Sequence, residues 1–201
     1  MIQWLEPSFI IQTLGLVGVW AIILAESGLF FGFFFPGDSL LFTAGLLASQ
    51  GYLNIWLLVP GAFIAAVLGD NIGYGFGRRV GTRLFQRPDS RFFKKGHLEK
   101  TKQFYARYGK KTLILARFVP IVRTFAPILA GVALMRWRDF LTYNLVGAAL
   151  WTIGVTFLGY GLGRTVPNIE HYLNYIIGAI IVLSLTPLWY NIKNAVTKPL
   201  P

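Results

Sequence analysis

Four long stretches of this chain, residues 7–25, 39–69, 140–163 and 172–192, carry no formal charge. A helix needs roughly 20 apolar residues to cross the hydrocarbon core of a bilayer, which makes membrane spans of such stretches. Two further apolar stretches are interrupted: residues 28–47 by Pro36, Gly37 and Asp38, and residues 112–135 by Pro120 and Pro127 with Arg123 between them. Eight residues precede Pro36 and nine follow Asp38. At 1.5 Å rise per residue each arm reaches about 12–14 Å, too short to cross alone. Broken backbone at bilayer depth is tolerated where protein buries it or where it lines an aqueous cavity, so both stretches read as re-entrant helical hairpins. The pattern predicts an all-α integral membrane protein.

Charge gives the elements a direction. Twelve of the nineteen basic residues lie between Arg78 and Lys111, opposed only by Asp89 and Glu99. By the positive-inside rule this loop, 78–111, is cytoplasmic. Residues 53–77 then run inward and 9–25 start inside. The hairpin at 28–47 enters from outside, and the one at 112–135 enters from the cytoplasm. Residues 140–163 run outward and a C-terminal span at 173–191 returns, which places both termini in the cytoplasm. Within the basic loop, Leu98, Thr101, Tyr105 and Tyr108 recur at helical spacing among Lys and Arg. That pattern reads equally as an amphipathic helix on an anionic leaflet or as a connector whose charge sets topology. The membrane accounts for the charge more simply than nucleic acid would. Met1 to Glu6 lacks the basic start of a cleaved signal peptide, so the first span is expected to remain in the mature protein.

The chain also echoes itself. Shifted by 86 positions, Ala44-Gly45, Gly61-Ala62 and the run Gly73 to Val80 fall on Ala130-Gly131, Gly147-Ala148 and Gly159 to Val166, the last two runs both opening Gly-Tyr-Gly. With the topology above, the halves are inverted repeats, each a hairpin followed by a span. The expected layout is a single membrane domain over 1–201: repeat 1 at about 26–80, a basic cytoplasmic segment at about 81–111, repeat 2 at about 112–166, and the C-terminal span. Inverted repeats with broken helices characterise secondary transporters, whose sites lie near the midplane where the repeats meet. Recurrence of small residues for helix packing is the alternative explanation of the glycines.

Composition agrees with the membrane assignment: 55% of residues are hydrophobic and 13% charged, against about 25% charged in a soluble domain. There is no cysteine, and His97 and His171 are the only histidines. Thiolate metal sites and multi-histidine clusters are therefore excluded, and neither a metal nor another cofactor is expected.

Charges inside such a chain need a reason. Glu26 and Asp38 flank the first break, and Arg117 and Arg123 flank the second. Ionisable groups at bilayer depth are costly and mark function by default. If the hairpin tips meet, Asp38 approaches Arg123, while Glu26 and Arg117 lie further along. A buried ion-pair network that only locks the hairpins is the bland alternative. A buried pair often adds little stability relative to packed hydrophobes, which weakens that alternative for the set. Arginine binds phosphate in bidentate fashion, and burial can bring a carboxylate into the range where it exchanges protons near neutral pH. The four residues are thus substrate-binding candidates, with Glu26, Asp38 and Asp70 as candidates for proton coupling. Asp70, two turns from Arg78, either joins the site or pairs locally with Arg78 or Arg79. Trp20, Trp56, Trp137, Trp151 and Trp189 read as interface anchors or packing residues.

At these positions the chain resembles a known family. Glu26, Phe35-Pro36-Gly37-Asp38, Gly69-Asp70 with Gly73-Tyr74 and the Gly-Arg that follows look like the signature of the DedA family. So does the run Arg117, Pro120, Arg123, Thr124, Pro127, Ala130, Gly131. This family is related to the eukaryotic VTT-domain lipid scramblases. The resemblance covers about residues 20–166. It implies a bacterial inner-membrane protein with paired re-entrant hairpins, linked to proton-motive force, to envelope integrity and to the return of lipid carriers such as undecaprenyl phosphate. It also implies essential roles for Glu26, Asp38, Arg117 and Arg123. Family members often carry Glu where this chain has Asp38, which keeps the charge on a shorter arm.

The leading expectation is therefore a translocase, rather than an enzyme, for a membrane lipid with an anionic phosphate head group. Glu26 and Asp38 would compete for the arginines or carry a coupled proton. A proton-coupled small-ion or drug antiporter could use the same carboxylates. A lipid-phosphate enzyme is disfavoured, because two isolated histidines cannot supply a histidine-nucleophile phosphatase and no Asp-x-x-Asp metal motif occurs. Homo-oligomerisation is left open.

Overall fold

A computed structural model describes residues 7–29, 35–86 and 111–166. The basic segment at 87–110, the C-terminal span at 173–191 and the middle of the first hairpin at 30–34 lie outside the described residues. All regular structure among the described residues is helical: α1 (Pro7–Gly28), α2 (Gly37–Ser49), α3 (Ile55–Gln86), α4 (Thr112–Ala116), α5 (Pro120–Val132) and α6 (Trp137–Thr165).

Two stretches have the length and composition of membrane spans, Ile55–Gly81 in α3 and Trp137–Thr165 in α6. Both sit where the uncharged runs predict them. Their surfaces are sorted the reverse of a soluble protein's. On α3, Leu57, Ile64, Leu68, Ile72 and Phe76 are all at least half exposed, and on α6 Val146, Leu150, Ile153, Phe157 and Leu158 are exposed as well. These spacings give each helix one apolar outward face, as hydrocarbon contact requires. The inward face of α6, by contrast, carries Asn144, Ala148, Trp151, Thr152 and Thr156, all buried. The fold is that of an α-helical membrane protein.

Around these long helices lie elements of about half their length. α2 and α5 have 13 residues each, or about 20 Å of helix. Pro120 stands at the first turn of α5, where its missing N–H would have had no intrahelical partner. α4, five residues long, precedes it across a turn at Arg117–Val119. α1 differs from the uniform span expected at 9–25. It is broken at Gly15 (φ 58°, ψ −145°), a conformation that glycine adopts at low cost. Its apolar remainder, Thr13–Gly28, is then shorter than a full crossing.

The short helices pack on the long helix of the other half of the chain, α2 along α6 and α5 along α3. Phe42 and Ile128 are 86 positions apart and each meets a glycine of the opposite long helix, though the two glycines, Gly159 and Gly77, are 82 apart, one helical turn out of that register. A Cβ on Gly159 would strike the carbonyl of Phe42, and one on Gly77 would strike the carbonyl of Ile128. Each contact is backbone against backbone, which explains why the Gly-rich run of both long helices tolerates no side chain there. The two N-terminal ends of α2 and α5 are thereby brought to the middle of the bundle.

Candidate functional site

Asp38 lies in the first turn of α2, and Arg123 in the first turn and a half of α5. Arg123 donates from Nη1 to Asp38 Oδ1 at 2.8 Å and from Nη2 to Glu26 Oε1. Glu26, near the end of α1, and Arg123 are each 3% exposed, so this centre is desolvated. The dipole of α2 favours the carboxylate at its N-terminus, whereas that of α5 disfavours a cation at its own. Two carboxylates on one guanidinium offset that second, unfavourable term. Gly37 makes the arrangement possible, because any Cβ there would fall on the carboxylate of Glu26.

A second centre adjoins the first. Arg117, in the turn after α4, donates from Nη1 to Asp70 Oδ2 at 2.5 Å and to Asn144 Oδ1 at 2.7 Å. Asp70 comes from α3, is 1% exposed and pairs with Arg117. Arg78 instead donates to the hydroxyl of Tyr74 at 3.1 Å. Of the two partners open to Asp70 from the sequence, the structure thus selects the site over the nearby arginines.

Trp151 joins the centres. Its indole N–H donates to Asp38 Oδ1 at 2.6 Å. Its ring lies 4.3 Å from Arg123 Cζ and 5.6 Å from Arg117 Cζ. A desolvated cation over an indole face is stabilised by about 2 kcal/mol or more. With 2% exposure Trp151 is no interface anchor, in contrast to Trp56 at 78%. Its position on the Asn144–Ala148–Trp151–Thr152 face of α6 was the available signal, since a tryptophan in register with a buried polar residue faces the core rather than lipid. Trp20 packs over Gly61, and Trp137 donates to Asn71 Oδ1 at 3.0 Å. Asn144 gave no sequence signal, being one uncharged polar residue in a long apolar run.

Glu26, Asp38, Asp70, Arg117 and Arg123 therefore converge, though their pairing differs from the one expected. Glu26 sits directly on Arg123 rather than further along its element, and Arg117 belongs to Asp70 and Asn144. A cavity of about 10 Å³, lined by Asp70, Arg117, Arg123, Asn144, Pro127 and Phe140 among others, opens beside them. That is room for about one water molecule. Among the described residues no cluster of three or more His, Asp or Glu could hold a metal ion.

The VTT domain family matches residues 35–161, which include all of α2, α3, α4 and α5 and most of α6. Protein DedA of Escherichia coli K12 is 47% identical over 178 residues, covering 85% of this chain and 81% of that protein. An uncharacterized membrane protein of Mycobacterium leprae is 44% identical over 184 residues, covering 92% of this chain and 82% of its own length. Another from Mycobacterium tuberculosis H37Rv is 45% identical over 186 residues, with 92% and 81% coverage. No solved structure gives a significant match. The matched region contains Asp38, Asp70, Arg117, Arg123, Asn144 and Trp151, and Glu26 precedes it. The chain belongs to the DedA family of VTT-domain membrane proteins.

Proposed function

We propose that this protein translocates a phosphate-bearing lipid, such as undecaprenyl phosphate or a phospholipid, across the bacterial inner membrane. The observation that carries the reading is the convergence of three carboxylates and two guanidiniums, contributed by both halves of the chain, in a bundle whose outer faces are apolar. In this reading each half is a re-entrant hairpin plus a span, inverted relative to the other, and the halves alternate access. The exchange of α2 and α5 between the long helices supports it.

Arg117 and Arg123 bind the head group, with Glu26, Asp38 and Asp70 as their internal counter-anions. With all five groups ionised the cluster carries a formal charge of −1. Entry of a phosphate would leave it more negative still, in a medium that supports charge poorly. The imbalance is relieved if a carboxylate takes up a proton as the phosphate arrives, which links transport to proton-motive force. The basic loop and both termini face the cytoplasm in this account.

The 10 Å³ cavity favours the small-ion form of a second reading, a proton-coupled small-ion or drug antiporter, since neither a head group nor a drug enters it without opening. One experiment separates the two. Purified protein is placed in liposomes carrying labelled undecaprenyl phosphate or phosphatidic acid, with the matching dephosphorylated lipid as control, and leaflet exchange and internal pH are followed together. Faster exchange of the phosphate-bearing lipid supports translocation. Proton flux driven by an ion or drug, without lipid exchange, replaces it with the antiporter.

A further inference from the structure

The two arginines are neutralised in different ways, and the difference assigns them different tasks. Arg123 uses both terminal nitrogens on carboxylates, Nη1 on Asp38 and Nη2 on Glu26, with the Trp151 ring 4.3 Å from its Cζ. Arg117 uses Nη1 alone, on one carboxylate and one neutral amide. Its Nε and Nη2 have no hydrogen-bond partner although the side chain is only 5% exposed. These two nitrogens form the side edge of the guanidinium, one of the pairs of parallel donors that grip a phosphate or carboxylate in bidentate fashion.

Asn144 adds a third donor. Its Oδ1 accepts from Arg117 Nη1, and the cation fixes that orientation, because a reversed amide would set N–H against N–H. Nδ2 is therefore the free end, and it too is buried without a partner. Arg117 and Asn144 both line the cavity. A buried donor left unmade costs about 1–3 kcal/mol, more when charged. Three of them on two side chains line one cavity, which Asp70 lines with an unpartnered acceptor, Oδ1, so the set fits an oxyanion that carries a proton to that carboxylate.

We infer that Arg117 Nε and Nη2 together with Asn144 Nδ2 form an anion subsite that receives the non-bridging oxygens of a phosphate group. This deepens, and rests on, the lipid-phosphate reading above. Asp70, held on Nη1, remains as the internal counter-anion while the side edge takes the ligand. A phosphate group exceeds the volume of the cavity, so binding is coupled to its widening. The same chemistry serves a lipid head group or free phosphate.

The test uses the full-length protein in maltoside, with labelled inorganic phosphate and labelled phosphatidic acid as probes and diacylglycerol as control. Asn144→Asp is the informative variant: it keeps the acceptor facing Arg117 and the volume, but replaces the donor by a charged acceptor. Phosphatidic acid affinity should fall by about tenfold or more in Asn144→Asp, and similarly in Arg117→Lys, which keeps the charge and loses the paired edge. Both variants are compared only where they keep a cooperative thermal transition, which separates lost binding from misfolding. Competition by inorganic phosphate would mark a free-phosphate site, and its absence a lipid head-group site; either is compatible with the subsite. Unchanged affinity in Asn144→Asp, or equal binding of diacylglycerol, would overturn it. If liposomes show lipid translocation that Asn144→Asp leaves intact, the subsite fails while the translocase reading stands. If wild type moves no lipid yet binds phosphate through Asn144, the reverse holds.

Discussion

Arg123 donates to Asp38 at 2.8 Å, 85 residues away in the chain and on a helix of the other half. The pair, with Arg123 3% and Asp38 22% exposed, ties α5 to α2 at the point where both helices begin. Removing the cation alone leaves Asp38 and the 3%-exposed Glu26 without their counter-charge. Arg123→Leu should therefore destabilise the protein by about 3–5 kcal/mol, the usual cost of breaking a buried ion pair from one side. Arg123→Leu combined with Glu26→Gln and Asp38→Asn should recover part of that loss, measured by thermal or denaturant unfolding in detergent. A triple variant less stable than the single one would contradict the counter-charge account.

Trp151 has two separable contributions, an N–H on Asp38 and a ring face against two guanidiniums. Trp151→Phe keeps a ring and loses the donor, at a cost of about 1.5–3 kcal/mol for a hydrogen bond to a charged group. Trp151→Leu loses both and leaves a cavity, with an expected cost of about 3–5 kcal/mol. Unfolding midpoints of the two variants in the same detergent check the order. Equal losses would mean that the ring face contributes nothing.

Gly37 has its own prediction, because a Cβ there would coincide with the Glu26 carboxylate. Gly37→Ala favours the helix intrinsically, yet should expel Glu26 from Arg123. The expected signature is a loss of transport of about tenfold or more in liposomes, out of proportion to any change in thermal midpoint. Wild-type transport in this variant would show that the Glu26–Arg123 contact is dispensable.

Leu134 offers a test outside the site. It ends α5 with φ 57°, a left-handed conformation for which a non-glycine residue is penalised, and Met135 N–H bonds back to the Ala130 carbonyl as in a helix C-cap. Leu134→Gly relieves about 1 kcal/mol of strain and loses little packing, since Leu134 is 39% exposed. The melting midpoint should stay level or rise. A clear drop would mean that the leucine side chain is needed where it stands.

Much of this was legible in the chain, because lipid imposes a simple rule. Long uncharged runs became α3 and α6, prolines between short runs marked the half-length helices, and five charged residues that had no reason to be in hydrocarbon turned out to meet. Pairing was less legible. Whether Asp70 reached Arg117 or turned back to Arg78 depended on the rotation of α3 against α4 and α6, which spacing along one helix does not determine. The break at Gly15 was hidden because glycine is ordinary in membrane helices and signals a kink only when its φ is known. Asn144 and Trp151 were missed for a related reason. Neither carries charge, so hydropathy weighs them lightly, while their importance comes from sharing the buried face of α6.

The central claim is that the buried charges separate to admit a lipid phosphate, beyond satisfying one another. The most direct measurement is the initial rate at which labelled undecaprenyl phosphate crosses between leaflets in liposomes, for wild type and for the variant carrying Arg123→Ala with Asp38→Asn. That variant removes both members of the Arg123–Asp38 pair but leaves Glu26 without its counter-charge, so folded protein is confirmed by its thermal midpoint before rates are compared. The account predicts a wild-type rate at least about tenfold above the variant, which should approach protein-free liposomes. Equal rates in wild type and variant would contradict it.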